Sequence, residues 1–229
     1  MLRTEELNKN LHNRKTFDCG LSAVNAFLQE SARKQAEQGV NRTWVALDEE
    51  TAEQPPFPLC GYFTLTNCTV AHDQVAGSYP RYPLPALKLA WLGVHYNYQG
   101  AGVGEYLLTE AVLQAWDLYT QTQMGVALVT DPLTTKSTEF FKKYGFKGTG
   151  RGFQEGQETL YLPIKWVRDW VEQDLKIDAT NHFETRDLAT AWLNSPHPQL
   201  QHQTPNQMID VPGGVDSVQQ LLYSHDGPS

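Results

Sequence analysis

Cysteine is scarce in this sequence. Cys19, Cys60 and Cys68 are an odd number and lack the close spacing of a zinc site. Reduced, mostly buried thiols of a cytoplasmic protein are therefore expected, and not a disulfide framework. Long hydrophobic runs are missing too. No stretch offers the roughly twenty apolar residues of a membrane helix. The first residues, MLRTEELNKNLHNRKTF, put charges where a secretory signal needs an apolar core. Positive charge is in short supply, with 18 Lys and Arg against 26 Asp and Glu for a net charge of −8. The shortage is uneven. Residues 1–165 hold 15 basic against 17 acidic side chains, residues 166–229 only 3 against 9. The first part can present a local basic surface, whereas the second repels nucleic acid and suits a basic partner, including the first part itself.

An apolar fraction of 40%, with 6 Trp, 10 Tyr and 9 Phe, marks a globular chain. Apolar residues at Leu21, Val24, Phe27, Leu28 and Ala32 share one face of a helix predicted over Leu21–Gln38, with Gly39 as its stop. Strands are predicted at Thr43–Leu47, Gly61–Ala71 and Leu87–Val94, and Asp48–Pro58 reads as an exposed loop. A helix then follows on Val103, Leu107, Leu108, Ala111, Val112 and Ala115. Gly125–Val129 is a buried strand, Thr135–Tyr144 a helix stopped by Gly145, and Thr159–Leu162 a last strand. This is an α/β order. A second apolar stripe, Val167, Trp170, Val171 and Leu175, opens a helical tail, with a polar link at 177–183 and helices at Glu184–Leu193 and Gly214–Tyr223.

The most informative segment is Tyr98-Gln99-Gly100-Ala101-Gly102-Val103-Gly104, set between a buried strand and a helix. Glycines let the backbone turn sharply and leave its N–H groups uncovered, and the helix N-terminus adds unpaired donors. A pyrophosphate fits such a turn without a metal. A nicotinamide dinucleotide site would need an acidic residue after a second strand, and Asp117 lies within the following helix instead.

YQGAGVG resembles the Q/R-x-x-G-x-G/A run of GNAT acetyltransferases, and FFKKYGF at 140–146 resembles their later helix with its GF corner. FDCG at 17–20 with the helix after it, and GYFTLTNCTV at 61–70, are similar to the GNAT toxins of toxin–antitoxin pairs, which acetylate the amino group of aminoacyl-tRNA. The resemblance covers about residues 3–163. It implies an α/β GNAT acyl-CoA N-acyltransferase fold with a mixed central sheet, acetyl-CoA as the donor, and direct transfer to an amine. By the same resemblance Leu92, Gly93 and Val94 pair with the pantetheine arm, the Val94 N–H faces the thioester oxygen, and Gln99, Gly100, Ala101, Gly102, Val103 and Gly104 hold the pyrophosphate.

Two departures stand out. The family's general acid is the Tyr of a Phe-Tyr pair, and here the pair is Phe140-Phe141, so Phe141 can line the cofactor site but has no proton to give. Tyr144, one helical turn on, is the candidate replacement, with Tyr96 or Tyr98 beside the cofactor strand, or water, as the alternatives. Where the toxins carry Arg-Leu-Ala-Val-Asp, this chain has Trp91-Leu92-Gly93-Val94-His95, which offers His95 as a base for the incoming amine or as an ordinary hydrogen-bonded histidine. His12 and His72 have no convergent ligands, so no metal is expected. Arg14, Lys15, Arg33, Lys34 and Arg42 are the basic candidates for RNA phosphates, or else solvated surface.

AWLNSPHPQL, TPNQMID and GGVDSVQQLL resemble the toxin-binding domain of Xre/ParS-type antitoxins over about residues 183–229. Its core candidates are Trp192, Leu193, Leu200, Met208, Ile209, Val218, Leu221 and Leu222. So small a unit is expected to dock on its own or a partner's GNAT domain, as a regulatory or neutralising domain or else as an oligomerisation module or a passive extension. The expected division is a GNAT domain over 1–163, a connecting helix and linker over 164–182, and a helical domain over 183–229. A homodimer is expected and a membrane is not. Three readings follow: a tRNA-directed acetyltransferase with a regulatory tail, a GNAT enzyme for a small amine or protein N-terminus, and a catalytically silent regulatory protein.

Overall fold

The computed structural model describes residues 1–52, 54–150 and 157–224. They form two units: Met1–Ala111 with Val126–Leu162, and Val112–Gly125 with the chain from Pro163 onward.

In the first unit, β1 (Leu2–Glu6) leads to the short helices α1 (Ser22–Ala26) and α2 (Ala32–Glu37), then to β2 (Asn41–Asp48), β3 (Gly61–Val70) and β4 (Leu84–Val94). Helix α3 (Val103–Thr122) follows, its second half belonging to the other unit. After it come β5 (Ala127–Thr130), α4 (Thr135–Lys143), β6 (Lys147–Gly148) and β7 (Leu160–Pro163). The sheet order is β1-β2-β3-β4-β5-β7-β6. Strands β1 to β4 are antiparallel neighbours, and β4 and β5 are parallel and need the α3 crossover. This is the mixed GNAT sheet.

The helix expected over Leu21–Gln38 is interrupted. A π turn at Phe27–Ser31 separates α1 from α2 and buries both Phe27 and Leu28. With Val24 and Ala32 they pack on Val45, Leu47 and Tyr62. Strand β1 was not foreseen, because LRTEE is polar. It is an edge strand, held by its ladder to β2 rather than by burial. Cys19, Cys60 and Cys68 are free thiols. Among the described residues no helix is long and apolar enough to cross a membrane.

The second unit contains α5 (Ile164–Phe183), α6 (Arg186–Leu193), α7 (Pro205–Met208) and α8 (Gly214–Ser224). The polar link expected at 177–183 is helical, because Leu175 and Ala179 extend the buried stripe of Val167 and Val171. Glu184 then stops α5 in the left-handed region, and the Thr185 side chain caps α6 by accepting from Leu188 N. Of the eight core candidates in the tail all but Met208 are buried. The tail closes on its own chain. Trp116 Nε1 donates to Ile209 O at 2.7 Å, Gly213 N donates to Asp117 Oδ1 at 2.9 Å, and the Arg168 guanidinium grips both Asp210 oxygens at 2.9 and 3.0 Å. Residues 225–229 of the expected tail domain lie outside the described residues.

Candidate active site

The site is built where β4 loses one of its neighbours. Parallel pairing with β5 covers only Leu87–Leu89, whereas pairing with β3 continues to Val94. Thr64 lies opposite Trp91 and Leu65 opposite Leu89, so Ala90 is an extra residue in β4. Such a bulge sharpens the local twist. Beyond it, Leu92, Gly93 and Val94 carry one unshared edge. His95 N donates to Cys60 O at 2.8 Å, a bond that brackets the Gly61–Val94 pair from outside. In an antiparallel ladder this turns the N–H and C=O of Val94 away from β3. Gln99 Nε2 takes the C=O at 3.0 Å and bridges to Cys19 O at 3.0 Å. The N–H is left directed to the side that β5 has vacated.

Gly93 is required by what covers it. A Cβ there would come within 2.8 Å of Val24 Cγ1, 3.1 Å of Tyr62 and 3.2 Å of Phe17. The FDCG segment and α1 thus pack directly on the strand's backbone. Gly100 and Gly102 hold φ of +81° and +82°, and a Cβ on either would meet nothing within 4 Å. The backbone of this turn is therefore uncovered as it enters the N-terminus of α3 at Val103, which is buried. The arrangement fits a pyrophosphate bound by backbone N–H groups.

Helix α4 supplies the facing wall. A Cβ at Gly104 would lie 3.6 Å from Val94 Cγ2 and 3.9 Å from the Phe140 ring, so glycine turn, strand end and Phe140 meet at one point. Sequence reasoning named Phe141 and passed over Phe140. Phe141 is 5% exposed and packs on Phe140 and Phe146, each with centroids 5.3 Å away. Tyr144 caps α4, its ring 5.0 Å from Phe140 and therefore one ring removed from Val94. Its orientation is fixed by a Schellman corner in which Gly145 N donates to Lys142 O and Phe146 N to Phe141 O. Lys143 Nζ donates to Tyr144 Oη at 3.2 Å. That bond with Tyr144 first, and more weakly the charge of Glu105, hold the ammonium above its usual range. Lys143 is absent from the expected set, and its side-chain bond is to Tyr144.

His95 is half-buried, its ring stacked on Tyr96 at 4.5 Å and edge-on to Phe17 at 5.9 Å. Its Nδ1 accepts from Asn97 N at 3.3 Å, so the neutral ring carries its proton on Nε2 and offers a donor there. Asp18 lies close. Its carboxyl is held below the usual range by Gly20 N–H, then by Asn25, with a smaller effect of His95. Trp91 stacks on Phe27 at 4.7 Å, packing where the toxins carry Arg.

The basic candidates separate. Arg14 Nη1 donates to the carbonyls of Leu28 and Gln29, bracing the π turn, and burial followed by the neighbouring Arg33 lowers its pKa. Arg33 pairs with Glu37 at 3.5 Å. Lys15, Lys34 and Arg42 are exposed. His12 is buried against Glu5 at 2.6 Å and serves the fold. Among the described residues no group of three His, Cys, Asp or Glu is placed to hold a metal.

Comparisons with known proteins bear on the fold. Residues 40–148 match the acetyltransferase (GNAT) domain family, and residues 178–227 match the antitoxin Xre/MbcA/ParS C-terminal toxin-binding domain. A protein of Sinorhizobium fredii (strain NBRC 101917 / NGR234), probable toxin TacT, is 21% identical over 175 residues, covering 72% of this chain and 92% of its own length. The same fold is seen in AtaT complexed with acetyl-methionyl-tRNAfMet, with TM-score 0.62, 23% identity and coverage of 72% of this chain and 96% of that one. It recurs in a Tyr-to-Phe variant of AtaT bound to the C-terminus of the antitoxin AtaR and acetyl-CoA, with TM-score 0.60, 24% identity and coverage of 73% and 96%.

Proposed function

We propose that this chain, which joins a GNAT acetyltransferase domain to an antitoxin-type toxin-binding domain, transfers acetyl from acetyl-CoA to the amino group of aminoacyl-tRNA. The observation that carries this reading is the unshared end of β4, with the Val94 N–H directed into the gap beside an uncovered glycine turn. The shared fold with a toxin solved on acetylated methionyl-tRNA supports the acceptor.

The backbone of Gln99–Gly104 and the start of α3 would hold the pyrophosphate, and the edge Leu92–Val94 the pantetheine arm. Bound there, acetyl-CoA supplies a thioester carbonyl open to attack by an amine. The Val94 N–H is the donor for the charge that develops on the carbonyl oxygen. Alignment of amine and carbonyl supplies much of the acceleration. The Tyr144 hydroxyl, whose oxygen accepts from Lys143 Nζ at 3.2 Å, is the candidate donor of a proton to the leaving thiolate. Lys15, Lys34 and Arg42 are the exposed cations for acceptor phosphates. The acidic tail, closed on Trp116 and Asp117 of the same chain, is the regulatory element, and the assembly acts as a homodimer in the cytoplasm.

One observation favours a second reading. Phe141 stands where the family keeps its acid, and a chain that uses no replacement would be a silent binding protein. Transfer of labelled acetyl from acetyl-CoA to a pool of charged tRNA decides between them. Label retained on the aminoacyl group is expected, and a folded protein that binds acetyl-CoA but labels no aminoacyl-tRNA would establish the silent reading.

A further inference from the structure

Tyr96 is 58% exposed, yet both its backbone and its ring are held. Its backbone N–H donates to Asp18 O at 2.9 Å and its carbonyl accepts from Gln99 N at 3.4 Å. Tyr98 N closes the turn on His95 O at 2.8 Å, and Asn97 N caps it on His95 Nδ1. One face of the Tyr96 ring lies on His95, centroids 4.5 Å apart at 29°, and His95 stands against Phe17, a core residue 1% exposed. Phe17, His95 and Tyr96 thus form an aromatic row, edge-on at Phe17 and stacked at Tyr96, that starts in the core and ends at an exposed ring.

The position matters as much as the anchoring. Tyr96 follows Val94 by two residues, at most about 7 Å of chain, and precedes the glycine turn by three. It therefore stands between the strand end that faces the acyl group and the turn that holds the pyrophosphate. We infer that the Tyr96–His95 pair is a stacking platform for the terminal nucleobase of the acceptor, an inference that rests on the aminoacyl-tRNA reading above. In such an acceptor the amino group is joined through its amino acid to the last ribose, so the last base lies within one nucleotide of the reacting carbon. Single-stranded RNA ends are gripped by aromatic stacking, which tolerates any base because every base has a flat face. The local charge points to a base rather than a phosphate, because the ionised Asp18 beside His95 repels a second anion.

The test compares the full chain with Tyr96→Ala and Tyr96→Trp. Steady-state transfer is measured to charged tRNA and to a methyl ester of the same amino acid, with acetyl-CoA binding measured separately. Tyr96→Ala should raise KM for charged tRNA roughly tenfold, the value of one base–aromatic stack at the lower end of its range. The kcat, acetyl-CoA binding and transfer to the ester should stay unchanged. Tyr96→Trp should restore the KM. An unchanged KM in Tyr96→Ala, or an equal loss on tRNA and ester, overturns the platform while leaving the acceptor reading intact. No transfer to charged tRNA by the unaltered chain overturns the acceptor reading and the platform with it.

Discussion

Replacing Asp174 by Asn should stabilise the second unit at neutral pH and do nothing in acid. Asp174 and Asp178 stand one turn apart on α5, and Asp178 accepts from Gln219 of α8 at 3.4 Å. Tyr223 of α8 also bonds Asp178. His182, one turn further on α5, has its Nε2 buried without a partner. Burial, and then the charge of Asp178, raises the Asp174 carboxyl from 3.8 to about 6. A group whose pKa is higher folded than unfolded binds more protons in the native state. Its contribution is thus fully present below about 4 and lost as pH rises through about 6. A rise of that size corresponds to about 3 kcal/mol at most, and partial exposure of the carboxylate reduces it to about 1–2 kcal/mol. Asn carries no charge to bury, so Asp174→Asn should match the unaltered chain at pH 4 and melt roughly 2–6 °C higher at pH 7.5. Thermal melts across that range, with hydrogen exchange at α5 and α8 to assign the unit, are the assay. A difference in Tm that is the same at both ends of the range would refute the reasoning.

Tyr144→Phe should lower kcat on the order of a hundredfold, the value of a positioned proton donor, with acetyl-CoA affinity unchanged by calorimetry. Equal rates would return the proton to water. Gly93→Ala drives a methyl into Val24, Tyr62 and Phe17, and should cost about 1–3 kcal/mol of stability and weaken acetyl-CoA binding, both read by melts with and without ligand. Trp116→Phe removes the donor to Ile209 O and leaves a buried carbonyl unpaired at about 1–3 kcal/mol. Proteolysis within α6–α8 should then be faster, with the first unit's cleavage pattern unchanged.

The fold was legible where sequence pattern and burial coincide. Leu87, Leu89 and Val94, and the stripe Val103–Leu107–Ala111, place β4 and α3 with the turn between them. What was illegible depended on pairing. Leu2–Glu6 becomes a strand only because β2 offers an edge, and no alternation of side chains announces it. The π turn at Phe27–Ser31 preserves the apolar face while shifting its phase, which a helical period of 3.6 does not register. In the site, the glycine turn could be read because Gly100 and Gly102 need positive φ. The choice between Phe140 and Phe141 could not, because neighbouring residues on a helix point in different directions and only the tertiary fold decides which one meets Gly104. Lys143 was hidden for the same reason, and no motif marks it.

Helix α3 is divided between the two units. Its first turn carries the glycine cradle, and its second half, from Val112, belongs with the chain beyond Pro163. Cutting after Pro163 would therefore not release a finished enzyme from an appended inhibitor. It would strip the partner from Trp116, which is 4% exposed in the full chain, and leave Asp117 without the Gly213 N–H. Burial of one large aromatic contributes about 1.5–3 kcal/mol, a sizeable part of the 5–15 kcal/mol that holds a typical protein folded. A truncated chain is expected to be aggregation-prone and poorly active whether or not the tail restrains catalysis, so its silence would say nothing about regulation. Restraint is better tested with Arg168→Ala, which cuts the grip on Asp210 while leaving Trp116 covered. Faster acetyl transfer from that variant, at an unchanged Tm for the first unit, would mark the tail as inhibitory. An unchanged rate after demonstrable loosening of α7 and α8 would leave it a structural partner of α3 and nothing more.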